Sequence, residues 1–154
     1  MFDFHNGILE LDRVSFGPQV TLNDLKSSGL PIQVTETPSS SSALARGTKI
    51  VHLDGAPFLP EFYFLNDFPS LVLLRPAIQY PPRMIDPAER QQFRYMACVR
   101  WLFTRLGKPH EEHPGETKYI FPWGSISAIA HLLPKDSCDA GYLALRYRRL
   151  LKDV

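Results

Sequence analysis

The chain has 154 residues, 17 Lys plus Arg against 16 Asp plus Glu, and a hydrophobic fraction of 44% that includes ten Phe. That size and composition suit one folded domain spanning 1–154 and exclude wholesale disorder. A near-neutral charge argues against nucleic-acid binding, which draws on a basic excess to meet phosphates, and fourteen Pro against nine Gly imply many chain breaks joined by stiff loops.

Met1-Phe2-Asp3-Phe4-His5-Asn6-Gly7 lacks a basic run followed by an apolar one, so no signal peptide is expected. Leu71 to Leu74 is the longest apolar stretch, far short of the roughly 18 residues that a membrane span requires. The expectation is a cytoplasmic protein with no membrane partner. Ile8 to Phe16 alternates loosely and reads as one opening strand after a turn at Gly7. Thr21-Leu22-Asn23-Asp24 fits a capping box with Asp in place of Glu, and Gly29 and Pro31 end the short helix it starts. Pro38 to Ser42 is a small low-complexity loop.

Lys49–Leu53, Pro60–Leu65 and Ser70–Arg75 read as three strands of a meander, with turn signals at Asp54-Gly55 and Asn66-Asp67. Pro57 and Pro60 imply that the second of these starts late or lies at an edge. After the break at Pro81-Pro82 comes the clearest local signal, Asp86-Pro87-Ala88-Glu89: Asp caps, Pro takes the first helical position and Glu follows. The helix runs to Leu106, about 30 Å at 1.5 Å per residue, and Gly107 and Pro109 stop it. Tyr95, Met96, Val99, Leu102, Phe103 and Leu106 form its apolar stripe, with Arg90, Arg94, Thr104 and Arg105 on the other side. The predicted fold is α+β: an antiparallel sheet of five to seven strands, covered on one face by this long amphipathic helix, plus a short N-terminal helix. Each helix ends in Gly before a Pro and is followed by strands, a weak repeat that suggests two helix-then-sheet units sharing one sheet.

No motif carries a reaction. His110-Glu111-Glu112-His113 has spacing three rather than the four of H-E-x-x-H and sits between Pro109 and Pro114, so a solvated loop is the expectation and no metal. Gly124-Ser125-Ile126-Ser127 lacks the second Gly of a nucleophile elbow, and no Gly-rich phosphate loop occurs, so neither a catalytic residue nor a cofactor is assigned. Cys98 and Cys138 read as two reduced thiols; a disulfide between them is geometrically open but unsupported. Trp123-Gly124 reads as an anchor between helix and sheet. Arg146, Arg148 and Arg149 read as solvated positions of a strand and tail. Trp101 falls opposite the stripe, between Arg94 and Arg105 on the helix surface; Trp and Arg dominate interface hot spots, so these three are the candidate partner-binding residues.

The last third carries a resemblance. Trp101-Leu102 to Leu106-Gly107, then Trp123-Gly124-Ser125-Ile126, then Tyr142-Leu143-Ala144-Leu145-Arg146-Tyr147 match a "WL…LG" helix, a "WG-I" strand and a final "I-I-Y"-like strand. From Trp101 to Tyr147, with support from the N-terminal strand–helix–strand pattern, the chain resembles immunity-type proteins of bacterial polymorphic and type VI secretion toxin systems. The resemblance implies a small cytoplasmic α+β protein, not an enzyme, that binds a cognate toxin domain and sterically blocks it. It hands over no functional residue, because such proteins place their contacts on variable surfaces. A secretion adaptor or chaperone for an effector is the alternative, and a small enzyme of unrecognised type a third. The toxin activity and the oligomeric state are not legible in the sequence.

Overall fold

The computed structural model describes residues 1–130 and 141–149; Cys138 lies outside them. Strands β1 (Phe2–Asp3), β2 (Ile8–Leu11) and β3 (Val14–Phe16) form a small antiparallel sheet. Helix α1 (Leu22–Ser27) follows, then β4 (Ile32–Thr37), β5 (Ser42–Gly47), β6 (Val51–Leu53), β7 (Ala56–Leu65) and β8 (Phe68–Pro76). Helix α2 (Pro87–Leu106) leads into β9 (Glu111–His113), β10 (Glu116–Phe121), β11 (Gly124–Ile129) and β12 (Tyr142–Tyr147). The large sheet has the order β4-β5-β7-β8-β12-β11-β10-β9, with β6 paired to β7.

The expected α+β fold, with one helix covering one face of the sheet, is overturned. Strand makes up 46% of the described residues and helix 21%, and there are two sheets, of nine and three strands, with one main helix. Dimensions explain the difference. Eight neighbouring strands at roughly 4.8 Å are about 34 Å wide, whereas a helix is about 10 Å across. The small sheet and α1 therefore share the work: Phe2, Leu9, Leu11, Phe16, Leu22 and Leu25 are buried in one core with Phe62, Phe64, Val72, Leu74, Ile126 and Leu145 of the large sheet and Cys98 and Leu102 of α2.

The helix is also turned relative to expectation. Its buried row is Arg94, Cys98, Leu102, at a spacing of four, while Met96 and Phe103 are 39% and 59% exposed. The predicted stripe is off by about one residue's rotation, roughly 100°. Hydrophobicity alone misplaced it because the structure gives partners to Arg94 and Trp101, which the pattern had assigned to solvent.

Local chemistry sets the remaining boundaries. The expected opening strand is a hairpin, because Asp12 and Arg13 both take positive φ (45° and 75°) and reverse the chain between β2 and β3. The turns at Asp54-Gly55 and Asn66-Asp67 form with all four residues at positive φ. Pro60 does not push β7 to an edge. Pairing with β5 stops at Glu61 and pairing with β6 resumes at Phe58, so Pro60 stands at a gap where no ladder donor is required on that side. The His110–His113 segment is not a loop: Glu111–His113 pairs with β10 as an exposed edge strand, reversed at Pro114-Gly115 with Gly115 at φ +78°. Ser39 and Ser40 lie in a 3-10 turn that closes the β4–β5 hairpin.

A helix followed by strands occurs twice along the large sheet, five strands (β4 to β8) after α1 and four (β9 to β12) after α2. The path β4-β5-β7-β8 follows α1, the path β9-β10-β11-β12 follows α2, and the two meanders meet where β8 pairs antiparallel with β12.

Candidate functional site: an arginine-lined groove

Pairing register assembles the first wall. His52 lies opposite Pro57 and Leu59 opposite Arg75, so these four side chains share one sheet face at the end of β6, β7 and β8. From Ala77 the chain turns away through Tyr80 and the Pro81-Pro82 break, and re-enters as α2 with Asp86 capping the Ala88 N–H at 3.0 Å. Arg90 and Arg94, one turn apart, form the opposite wall. Between the walls lies an open groove of about 860 Å³.

Arg75, Arg90, Arg94 and His52 line the groove, and no Asp or Glu does so among the described residues. Tyr80 orders two of the cations: the Arg90 guanidinium carbon is 4.8 Å from its ring centroid, and Arg94 donates from Nη1 to its hydroxyl. Arg90 is steadied from behind by Nε donating to the Met84 carbonyl at 2.8 Å. Ile50 and Ile85 stand at the rim, 51% and 79% exposed. His52 faces Asp12, with Nδ1 3.3 Å from the carboxylate.

A smaller pocket of about 130 Å³ adjoins the groove, and Pro57, Pro76, Ala77 and Ile78 line both. Phe58, Cys98 and Trp101 form its inner wall. The Trp101 indole N–H is buried without an acceptor. Burial pushes the Cys98 thiol far above its ordinary range, so it stays protonated and is a poor nucleophile.

The three candidate partner-binding residues are not brought together as one surface patch. Arg94 is 5% exposed and belongs to the groove. Trp101 is half-buried, with its ring against Phe2, Phe4 and Phe58. Arg105 lies over that ring, its guanidinium carbon 3.9 Å from the centroid, and reaches Asp54 at 3.4 Å. Arg75, Arg90, His52 and Tyr80 escaped the sequence reading because the groove gathers them from four segments, and no local spacing records that meeting. Trp123 anchors the small sheet rather than the helix: its N–H donates to the Phe4 carbonyl and its ring stacks on Phe121 at 5.5 Å. Of the terminal arginines, Arg146 pairs with Glu116 at 3.3 Å. The His110 ring nitrogen accepts from the Ile120 N–H at 2.8 Å, and no group of three potential metal ligands occurs among the described residues. No described helix is long and apolar enough to cross a membrane.

Comparison with protein-family models, with curated proteins and with solved structures gives no match to this chain.

Proposed function

We propose that this chain is a recognition protein of the immunity type, which binds a cognate bacterial toxin domain in the cytoplasm and blocks it by steric occlusion. The observation that carries the reading is the open groove, walled by Arg75, Arg90, Arg94 and His52 and edged by exposed Ile50 and Ile85. Arginine beside exposed aliphatic residues is the chemistry of a protein-binding surface, because guanidinium groups give directional hydrogen bonds to carboxylates while apolar rims exclude water. The resemblance of Trp101–Tyr147 to immunity-type proteins supplies the identity of the partner class. An interface of ordinary size, about 1,600 Å² in total, would extend beyond the groove onto the surrounding surface.

Affinity capture from the native host, read by mass spectrometry, tests the reading. Wild-type chain should retain one toxin domain in stoichiometric amount, and Arg90→Glu should lose it. Co-expression with that domain should restore growth. Recovery of a secretion-apparatus component would favour the adaptor reading instead, and recovery of no stoichiometric protein would overturn both.

A further inference from the structure

We infer that β4, the strand that ends the large sheet, is an interaction edge whose occupant is a second copy of this chain. Two β4 strands pair antiparallel about a two-fold axis at Val34 and join two large sheets into one. This pairing goes beyond the proposed function and does not depend on it.

Ladder phase fixes which backbone groups β4 offers. Among the described strands it pairs only with β5. Just outside that ladder the Thr48 N–H donates to the Pro31 carbonyl at 3.0 Å. Ile32–Gly47 is therefore a non-hydrogen-bonded pair, and Gln33–Arg46, Thr35–Leu44 and Thr37–Ser42 are hydrogen-bonded ones. The far side of β5 agrees: the Asn66 N–H donates to the Ser41 carbonyl at 2.9 Å, which leaves the Ser42 backbone facing β4 rather than β7. So the N–H and C=O groups of Gln33, Thr35 and Thr37 point at β5. Those of Ile32, Val34 and Glu36 point outward, where no described residue bonds them.

The two ends of the sheet differ in their protection. β9, at the far end, has three residues, Glu111–His113, between Pro109 and Pro114. Shortness, charge and proline guard an edge against strand addition. β4 has six residues with no Lys, no Pro and no register shift, and such an edge templates another strand. Its own sequence fits that role. With Val34 opposite Val34, Ile32 of each copy meets Glu36 of the other, and three outward pairs exchange two bonds each; a slip by two positions leaves two such pairs. Gln33 then lies opposite Thr35 of the other copy in the closer, non-hydrogen-bonded register, where their side chains can bond. Val34, half-buried with Ile32 against the core, meets its own copy on the same face. The two Glu36 carboxylates stand four positions apart along the strand, about 13 Å, beyond the Debye length of about 8 Å at physiological ionic strength. The two-fold relation uses each edge once, so association stops at the dimer.

Sedimentation equilibrium and amide hydrogen exchange on the full chain, from micromolar to near-millimolar concentration, test the pairing. The chain should pass reversibly from monomer to dimer. The Gln33, Thr35 and Thr37 amides should be protected throughout, and those of Ile32, Val34 and Glu36 should gain protection only as the dimer forms. Glu36→Pro removes an outward N–H and no bond to β5, so it should weaken dimerisation about tenfold or more while the melting temperature stays within a few degrees. Charge at the seam gives a second pair of variants. Gln33→Glu, which faces Arg46 of β5, combined with Thr35→Glu sets like charges opposite each other across the seam and should leave a monomer. Gln33→Glu combined with Thr35→Lys sets opposite charges there and should restore the dimer.

A monomer at every concentration would overturn the inference. So would a dimer whose Ile32, Val34 and Glu36 amides exchange as fast as in the monomer, since the interface would then lie elsewhere. Failure of the Glu and Lys combination to restore what the two Glu remove would overturn the register at Val34. Unfolding by Glu36→Pro would mean that this N–H points at β5, and the pairing would fall with the ladder phase.

Discussion

The Trp123 indole N–H donates to the Phe4 carbonyl at 2.8 Å, across 119 positions of sequence. This bond, with the Trp123 ring against Phe2 at 6.3 Å and against Tyr147 at 5.4 Å, ties the three-stranded sheet to the β10–β11 turn and to β12. Tyr147 adds a second tie, its hydroxyl donating to the Gly7 carbonyl at 3.0 Å.

Substitutions at Trp123 separate packing from hydrogen bonding. Trp123→Phe keeps most of the ring and removes the donor, and should cost about 1–2 kcal/mol. Trp123→Ala should cost about 3–5 kcal/mol, since a ring that is 5% exposed leaves a cavity. Urea denaturation measures both. Equal losses would mean that the bond, not the ring, holds the small sheet.

Gly124 begins β11 at φ +150°, and a β-carbon there would overlap the Arg146 carbonyl oxygen of the neighbouring strand. Gly124→Ala should therefore destabilise by about 2 kcal/mol or more, through strain combined with displaced pairing. Thermal denaturation checks it. Gly29, at φ +83°, provides the contrast, because a β-carbon added there would meet no atom within 4 Å. Its alanine variant bears the backbone cost without the clash.

The orientation of α2 is tested by two substitutions, one on the observed buried row and one on the apolar stripe that its sequence suggests. Cys98→Asp puts a charge at a position 1% exposed and should cost several kcal/mol, on the order of 3 or more. Phe103→Asp, at a position 59% exposed, should change stability by less than about 1 kcal/mol. A larger loss at Phe103 would return the helix to the face its sequence suggests.

Alkaline pH should weaken the fold. Burial raises the Cys98 thiol and the Tyr147 phenol far above their ordinary values, and raises Tyr63 to about 12 with help from Glu61, which accepts a hydrogen bond from its hydroxyl. The folded state therefore holds protons that the unfolded chain releases. These groups leave stability unchanged below their unfolded values, about 9 for the thiol and 10 for the phenols, and erode it as pH rises above them. Urea midpoints should hold level from about pH 7 to 9 and fall by pH 10.5, less steeply in Cys98→Ala. In the native protein at neutral pH, Cys98 should resist alkylation until the chain unfolds, as peptide mapping would show.

Where a few adjacent residues determine a feature, the sequence was sufficient. Thr21 and Asp24 exchange both bonds of the capping box, at 3.0 and 3.2 Å, and Asp86 with Pro87 starts α2. The Asp54-Gly55 and Asn66-Asp67 turns are equally local. What escaped depends on residues remote in sequence. Asp12-Arg13 carries no glycine, so the turn that divides β2 from β3 looked like strand. Arg94 and Trp101 read as polar-face residues because Tyr80, Phe2 and Phe4, which pack against them, are invisible to a helical wheel. The groove was illegible for the same reason, although Arg94 was among its expected binding residues.

β12 lies in the middle of the large sheet, between β8 and β11, yet it is the last of the described strands to be made. Until it arrives, the two meanders have no common seam, and β8 and β11 each present an open edge bearing Val72 and Leu74 on one and Ile126 and Ala128 on the other. At roughly 5–20 residues per second, the 71 positions from Pro76 to Tyr147 take about 4–14 s to synthesise. Throughout that interval the nascent chain offers an adhesive strand edge to any neighbour, including another copy emerging from the same polysome. Assembly of this protein is thus timed by translation, and slow codons between α2 and β12 should lower the soluble yield without altering the finished fold.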